Sequence, residues 1–135
     1  MVEPQKDKMN LEEARQLIHQ EAQAMLRMAA GLDQNFCRAA QMIYDCTGSV
    51  VLSGIGKAGI VAQKISATFG STGTPSHFLH AAEAVHGDLG RLRGEDLAII
   101  LSHSGESEEI VRLIALLKQL GITMIGITGN PDSAL

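Results

Sequence analysis

The sequence predicts an α/β protein, a three-layer sandwich with helices on both faces of a parallel sheet. Three observations predict it. Four short runs at residues 49–53 (SVVLS), 75–80 (PSHFLH), 96–102 (DLAIILS) and 122–128 (ITMIGIT) alternate with segments of helical periodicity, which is the pattern of parallel βαβ units. The third run is apolar at nearly every position, as a strand covered on both faces must be. Aromatic residues are only 3% of the chain and there is no Trp, so the core rests on Leu, Ile, Val, Ala and Met, which suits close helix-on-sheet packing.

Each element follows from the residues. Over residues 10–30, Leu11, Ala14, Leu17, Ile18, Met25 and Leu26 keep a helical period. Asn10 with Glu13 has the form of an N-cap and its reciprocal acid. Gly31 interrupts, and Asp33 is placed to cap a second helix carrying Phe36, Ala39, Ala40 and Ile43, which Thr47-Gly48 stops. The first strand runs into the glycine loop Gly54-Ile55-Gly56-Lys57-Ala58-Gly59, and a helix with Val61, Ile65 and Phe69 follows. After the second and third strands, residues 104–120 read as a helix with Ile110, Ile114 and Leu117 on one face and Gly121 as its stop. The fourth strand is followed by residues 129–133, which read as the opening of another helix. The division expected is a helical segment at 1–34 and one α/β domain at 35–135, with the chain cut short of the domain's end.

Several function classes are excluded. Net charge is −4 and the pI about 5.7, so there is no basic footprint for nucleic acid or anionic lipid. No apolar run approaches the roughly 20 residues of a membrane-spanning helix, and the amino terminus lacks a signal peptide's apolar core. Cys37 and Cys46 form no CxxC pair. They read as buried, reduced thiols of a cytoplasmic protein. No nucleic-acid or membrane partner is expected.

Ligands in open parallel sheets bind outside the carboxyl ends of the strands. Those ends are Ser53-Gly54, His80, residues 102–107 and Thr128-Gly129. The stretch SHSGES at 102–107 joins a buried strand to a helix, whose free N–H groups and positive dipole end suit an anion. Ser102, Ser104 and Ser107 could complete a phosphate cup, or Ser104 or Ser107 could merely cap the helix. Gly54, Gly56 and Gly59 also fit a dinucleotide fingerprint, but that motif expects an acid at the end of the next strand, and HFLH has none. Lys57 sits where a cation would face a ligand, unless it is an ordinary solvated lysine. Glu109 is placed for general acid/base work, or simply favours a helix N-terminus as Glu106 and Glu108 do. His77, His80, His86 and Asp88 fall within twelve residues at spacings that match no standard zinc pattern. His77 reads as an outward-facing strand residue and His86 as a packing or capping group.

The SHSGES segment followed by Glu108-Glu109-Ile110 resembles the SxSGxS/T signature of SIS (sugar isomerase) domains, a flavodoxin-like doubly wound fold. Gly54–Gly59 and the stretch from Ala67 to Gly90, with Thr72–Pro75 and His86–Gly90 in it, are similar to one branch, the arabinose 5-phosphate isomerases. The resemblance implies interconversion of ribulose 5-phosphate and arabinose 5-phosphate through an enediol, with Lys57 and Glu109 catalytic. It implies a sugar site formed by Ser53, Gly54, Gly56, Gly73, Thr74, His80, His86, Ser102, Ser104 and Ser107. No cofactor is required, although His80 is implied as a zinc ligand. Many relatives have Ser where this chain has Ala58, which removes one hydroxyl from the loop. Relatives place a further functional Glu and His beyond the equivalent of Leu135, and many add a pair of CBS domains. They assemble as homo-oligomers, commonly tetramers, and the 10–30 helix is expected to pack on a partner subunit. The alternative is a non-catalytic SIS module that senses a phosphosugar. The amino-terminal helices are too few and too acidic for the DNA-binding segment such a sensor normally carries.

Overall fold

The structure, a computed structural model, describes residues 10–135. The chain divides into two compact units, one ending at Cys37 and the other comprising Arg38–Leu135. In the first, α1 (Leu11–Ala30) is a 20-residue helix. Asn10 caps it by accepting the Glu12 N–H at 3.0 Å, and its own amide donates to the Glu13 carboxylate at 3.4 Å. Glu13 therefore pairs with the cap's side chain instead of returning to its backbone. The expected apolar stripe is present, but no residue of α1 is buried. Asp33 accepts the Asn35 N–H at 2.8 Å and opens α2 (Gln34–Tyr44), which continues into the second unit.

The second unit holds a four-stranded sheet of β1 (Val50–Gly54), β2 (Ser76–His80), β3 (Leu97–Ser102) and β4 (Thr123–Thr128), all parallel, in the order β2-β1-β3-β4. Side chains of a strand alternate between faces. Val50, Leu52, Ile99 and Leu101 face α3 (Gly56–Ser71), packing with Ala62, Ile65 and Phe69, and Ile43 of α2 joins them. Val51, Leu79, Ala98 and Ile100 face the other way, onto Ala81 and Ala84 of α4 (Ala81–Val85) and Ile110, Leu113, Ile114 and Leu117 of α5 (Glu108–Gln119). Helices on both faces make β1 and β3 buried at every position, which explains the apolar runs Val50–Leu52 and Leu97–Leu101. The predicted three-layer α/β sandwich is the fold observed.

Differences from the sequence expectation have local causes. The third strand starts at Leu97 because the Asp96 carboxylate takes the N–H groups of Ser49 and Arg93, both at 2.8 Å. It ties the amino ends of two strands together instead of extending one. Residues 81–91, unassigned from sequence, form α4 and a 3₁₀ turn at Asp88–Arg91. Residues 129–133 do not open a helix; the Ser133 N–H closes a single turn on the Asn130 carbonyl at 3.2 Å. Cys37 is exposed and Cys46 half-buried beyond the end of α2. The expectation of two buried helical thiols is therefore corrected, because that side of α2 is not covered at Cys37. His77 does not face outward as expected: it is half-buried, and its Nε2 is buried without a partner. It lies towards the amino end of β2 in a polar cleft with Arg91, Arg93 and Asp96. Burial and then the Arg91 charge push its pKa down, against a smaller opposing effect of Asp96.

No helix among the described residues is long and apolar enough to cross a membrane.

Candidate functional site

The strand order reverses between β1 and β3, and the loops leaving those two strands part there, opening a crevice at the carboxyl edge. The crevice is a cleft of about 390 Å³ lined by Lys57, Ala58, Ser102, Ser104 and Ser107, with Ile55, Leu101 and Ile110 as its apolar floor. That volume is in the range of small-molecule sites. The loop after β1 can lie this close to the sheet because a Cβ on Gly59 would stand 2.9 Å from the Gly54 carbonyl oxygen, and one on Gly54 would stand 3.0 Å from the Ala58 carbonyl carbon. Two glycines thus let α3 start directly over the strand end and carry Lys57 to the cleft's rim.

The opposite wall is the loop after β3. Helix α5 begins at Glu108, four residues later than the sequence period suggests. The intervening loop turns on Gly105, which has φ +69°, and its N–H groups are taken by serine hydroxyls. Ser102 Oγ accepts the Gly105 N–H at 3.1 Å and Ser104 Oγ accepts the Glu106 N–H at 3.3 Å. An oxygen used as acceptor leaves its O–H proton free to donate, which is what an anion requires. Ser107 occupies the N-cap position, yet its hydroxyl makes no cap bond; only its carbonyl is used, by the Val111 N–H at 2.9 Å. The choice between cap and ligand group therefore falls differently at the two positions. Ser104 makes a local turn, and Ser107 Oγ remains available to a ligand. With the first-turn N–H groups of α5 lacking a side-chain cap, the wall presents donors and a positive dipole end.

The other sequence-predicted residues are placed as follows. Glu109 is the second residue of α5 and exposed, and it does not line the cleft. Its neighbour Glu108 is paired with Arg112. Ser53 is buried in β1 with its Oγ unpartnered, and it does not line the cleft. Gly54 ends β1 and Gly56 opens α3. His80, in register with Gly54, caps α4 by accepting the Ala82 N–H at Nδ1, 3.3 Å away, which leaves Nε2 free. His86 ends α4 and is exposed. Gly73 and Thr74 precede β2 at the amino edge and line a separate cavity with Tyr44 and Cys46. Within one chain they are not brought to the Lys57–Ser107 cleft.

Among the described residues no three His, Cys, Asp or Glu side chains converge on a point that could hold a metal ion. A catalytic zinc takes about three protein ligands, so His80 on this chain does not make up such a site by itself.

The turn after β4, expected to open a helix, instead braces the serine loop. The Gly129 N–H donates to the His103 carbonyl at 3.0 Å and the Ala134 N–H donates to the Glu106 carboxylate at 2.8 Å. These are backbone donors, and nothing in residue type or spacing announces them.

Comparison with known proteins agrees with this geometry. The SIS domain family matches residues 42–135. The chain is 45% identical over 115 residues to the arabinose 5-phosphate isomerase KdsD of Escherichia coli K12, covering 85% of this chain and 35% of that protein. It is 47% identical over 122 residues to the arabinose 5-phosphate isomerase KpsF of Escherichia coli O6:H1 (strain CFT073), covering 90% of this chain and 37% of that protein. The chain thus spans little more than a third of the length of the curated relatives it matches. Among solved structures, the Escherichia coli CFT073 protein c3406 in complex with arabinose 5-phosphate superposes with a TM-score of 0.84 at 40% identity, over 93% of this chain and 69% of that one. With the sheet, the serine loop and the family match in agreement, the chain belongs to the SIS domain family.

Proposed function

We propose that the protein is an aldose–ketose isomerase that interconverts D-ribulose 5-phosphate and D-arabinose 5-phosphate. The observation that carries the reading is the convergence of Lys57, Ser102, Ser104 and Ser107 on one cleft at the strand-order reversal. Identity to proteins named arabinose 5-phosphate isomerase supplies the substrate. In this reading Ser107 and the amino end of α5 hold the phosphate, with the hydroxyl protons of Ser102 and Ser104 completing its hydrogen bonds. The reaction needs a proton moved between two carbons. A base takes a proton from C1 of the ketose, the C–H electron pair becomes the C1=C2 bond of the enediol, and the C2 carbonyl oxygen gains a proton. Protonation at C2 with loss of the O1 proton gives the C1 aldehyde. Glu109 is the proposed acid/base, reaching the sugar from the first turn of α5 once substrate is bound. The Lys57 ammonium opposes the negative charge that develops on the enediol oxygens.

His80 and His86, at the end of β2 and of α4, are proposed sugar contacts. Gly73 and Thr74 belong to the same proposal only as contacts to a site on a neighbouring copy, in a homo-oligomer, by resemblance a tetramer. Two free thiols accord with a reducing, cytoplasmic setting.

The test is arabinose 5-phosphate formation from ribulose 5-phosphate, with this chain and a version extended at its C-terminus with the matching segment of Escherichia coli KdsD. Turnover that falls by about 10²-fold or more in Lys57→Ala or Glu109→Gln supports the assignment. Binding of arabinose 5-phosphate no tighter than that of arabinose would remove it.

A further inference from the structure

The loop that forms the serine wall does not stand alone. Beyond the strand and the helix that it joins, its hydrogen-bonding partners among the described residues come from one place, the end of β4 and the turn that follows it. The His103 carbonyl accepts the Gly129 N–H at 3.0 Å and the Thr128 hydroxyl at 3.4 Å. A Cβ at Gly105 would overlap the Ser133 hydroxyl, and one at Gly129 would stand 2.7 Å from His103 Nδ1, so the two loops are in direct contact on both sides. The turn is itself braced, because Thr128 Oγ1 accepts the Asn130 N–H at 3.1 Å and lies 3.4 Å from Ser133 Oγ. One contact differs from the rest in being charged: the Glu106 carboxylate accepts the Ala134 N–H at 2.8 Å. Glu106 lies between Gly105 and Ser107, and its own N–H is held by Ser104.

We propose that Glu106 is a positioning residue for anion binding, clasping the Ser102–Ser107 loop to the turn after β4 so that Ser104 and Ser107 keep their ligand-facing geometry. The inference rests on reading that loop as the phosphate site. The physical problem Glu106 answers is specific. A carboxylate next to an anion site is repulsive, and the repulsion is smaller when its oxygens are held pointing away from the anion. An N–H donor on the neighbouring loop engages it with a charge-assisted bond. Its main-chain N–H and its side chain thereby fix the loop at both ends of one residue. A Glu whose only role was to favour the helix N-terminus would have its benefit in charge alone, and any neutral replacement would then behave alike.

That difference sets the test. Glu106→Gln removes the charge and keeps an acceptor oxygen for the Ala134 N–H; Glu106→Ala removes both. Arabinose 5-phosphate binding is measured by calorimetry for the unaltered chain and both variants. Hydrogen exchange of the Gly105 and Glu106 amides is measured alongside. The clasp predicts that Gln binds within about twofold of the unaltered chain, while Ala binds about three- to tenfold more weakly, the worth of one such hydrogen bond. It also predicts faster exchange of both amides in Ala and not in Gln. Ala and Gln binding equally well with equal exchange overturns the clasp. Should the unaltered chain bind no arabinose 5-phosphate, the isomerase reading fails, and the exchange comparison still decides whether Glu106 holds the loop. Thermal unfolding of the two variants identifies a change that is merely a loss of fold.

Discussion

Helices α1 and α5 are both amphipathic, and the molecule treats them in opposite ways. α5 has 12 residues and buries Ile110, Leu113, Ile114 and Leu117 against the sheet. α1 has 20 residues and buries none, with Leu11, Leu17, Ile18, Met25, Leu26 and Met28 all exposed. Their hydrophobic spacing is of the same kind. The difference teaches that periodicity identifies the face of a helix that is to be covered, but says nothing about what covers it. For α5 the cover is the sheet. For α1, the proposed cover is a second copy of the chain.

The largest effect expected is at the centre of the covered face. Leu113 is 0% exposed, so Leu113→Ala should cost about 2–5 kcal/mol, read as a lower denaturant midpoint. The substitution matched to it on the uncovered face is Leu17→Ala, where Leu17 is 57% exposed. If the two cost the same in dilute solution, the contrast between the helices is wrong.

Next comes the joint from which α5 springs. Gly105→Ala puts a Cβ on a residue at φ +69° and against the Ser133 hydroxyl. It should destabilise the chain by about 1–2 kcal/mol and weaken arabinose 5-phosphate binding more than tenfold. Unchanged binding would show that the serine wall does not depend on this turn.

A smaller effect is expected for α1. In the chain as a monomer, Leu17→Ser with Leu26→Ser should change stability by no more than about 0.5 kcal/mol per site. Sedimentation at high concentration should show the unaltered chain associating and the variant not. A monomer in both cases would leave α1 without the proposed cover.

The smallest effect concerns His77 in β2. Burial and Arg91 lower its pKa below 6.5, so the unfolded chain takes up this proton at a higher pH than the native one. Stability therefore falls as pH drops below 6.5 towards the lowered value, and is unaffected by this group above it. Unfolding curves at intervals from pH 7 to 5 should show a shallower decline in His77→Gln than in the unaltered chain. Parallel declines would mean that His77 does not titrate differently in the two states.

The sequence by itself determined the alternation of strands and helices, because period and apolar runs are set by backbone geometry and burial on two faces. It determined that the serine-rich stretch at 102–107 would stand where a buried strand passes into a helix and that Lys57 would stand in the glycine loop, since both follow from strand ends and residue type. Only the tertiary structure decided that Lys57 and the three serines share one cleft, because that depends on β3 pairing beside β1. It placed Gly73 and Thr74 at the opposite edge of the sheet from that cleft. It put the Asp96 carboxylate across two strand ends and the Glu106 carboxylate against the turn after β4. Those two contacts are made to backbone N–H groups, which every residue except proline carries. The sequence has no letter for them, and only the folded path of the chain brings a particular one within reach.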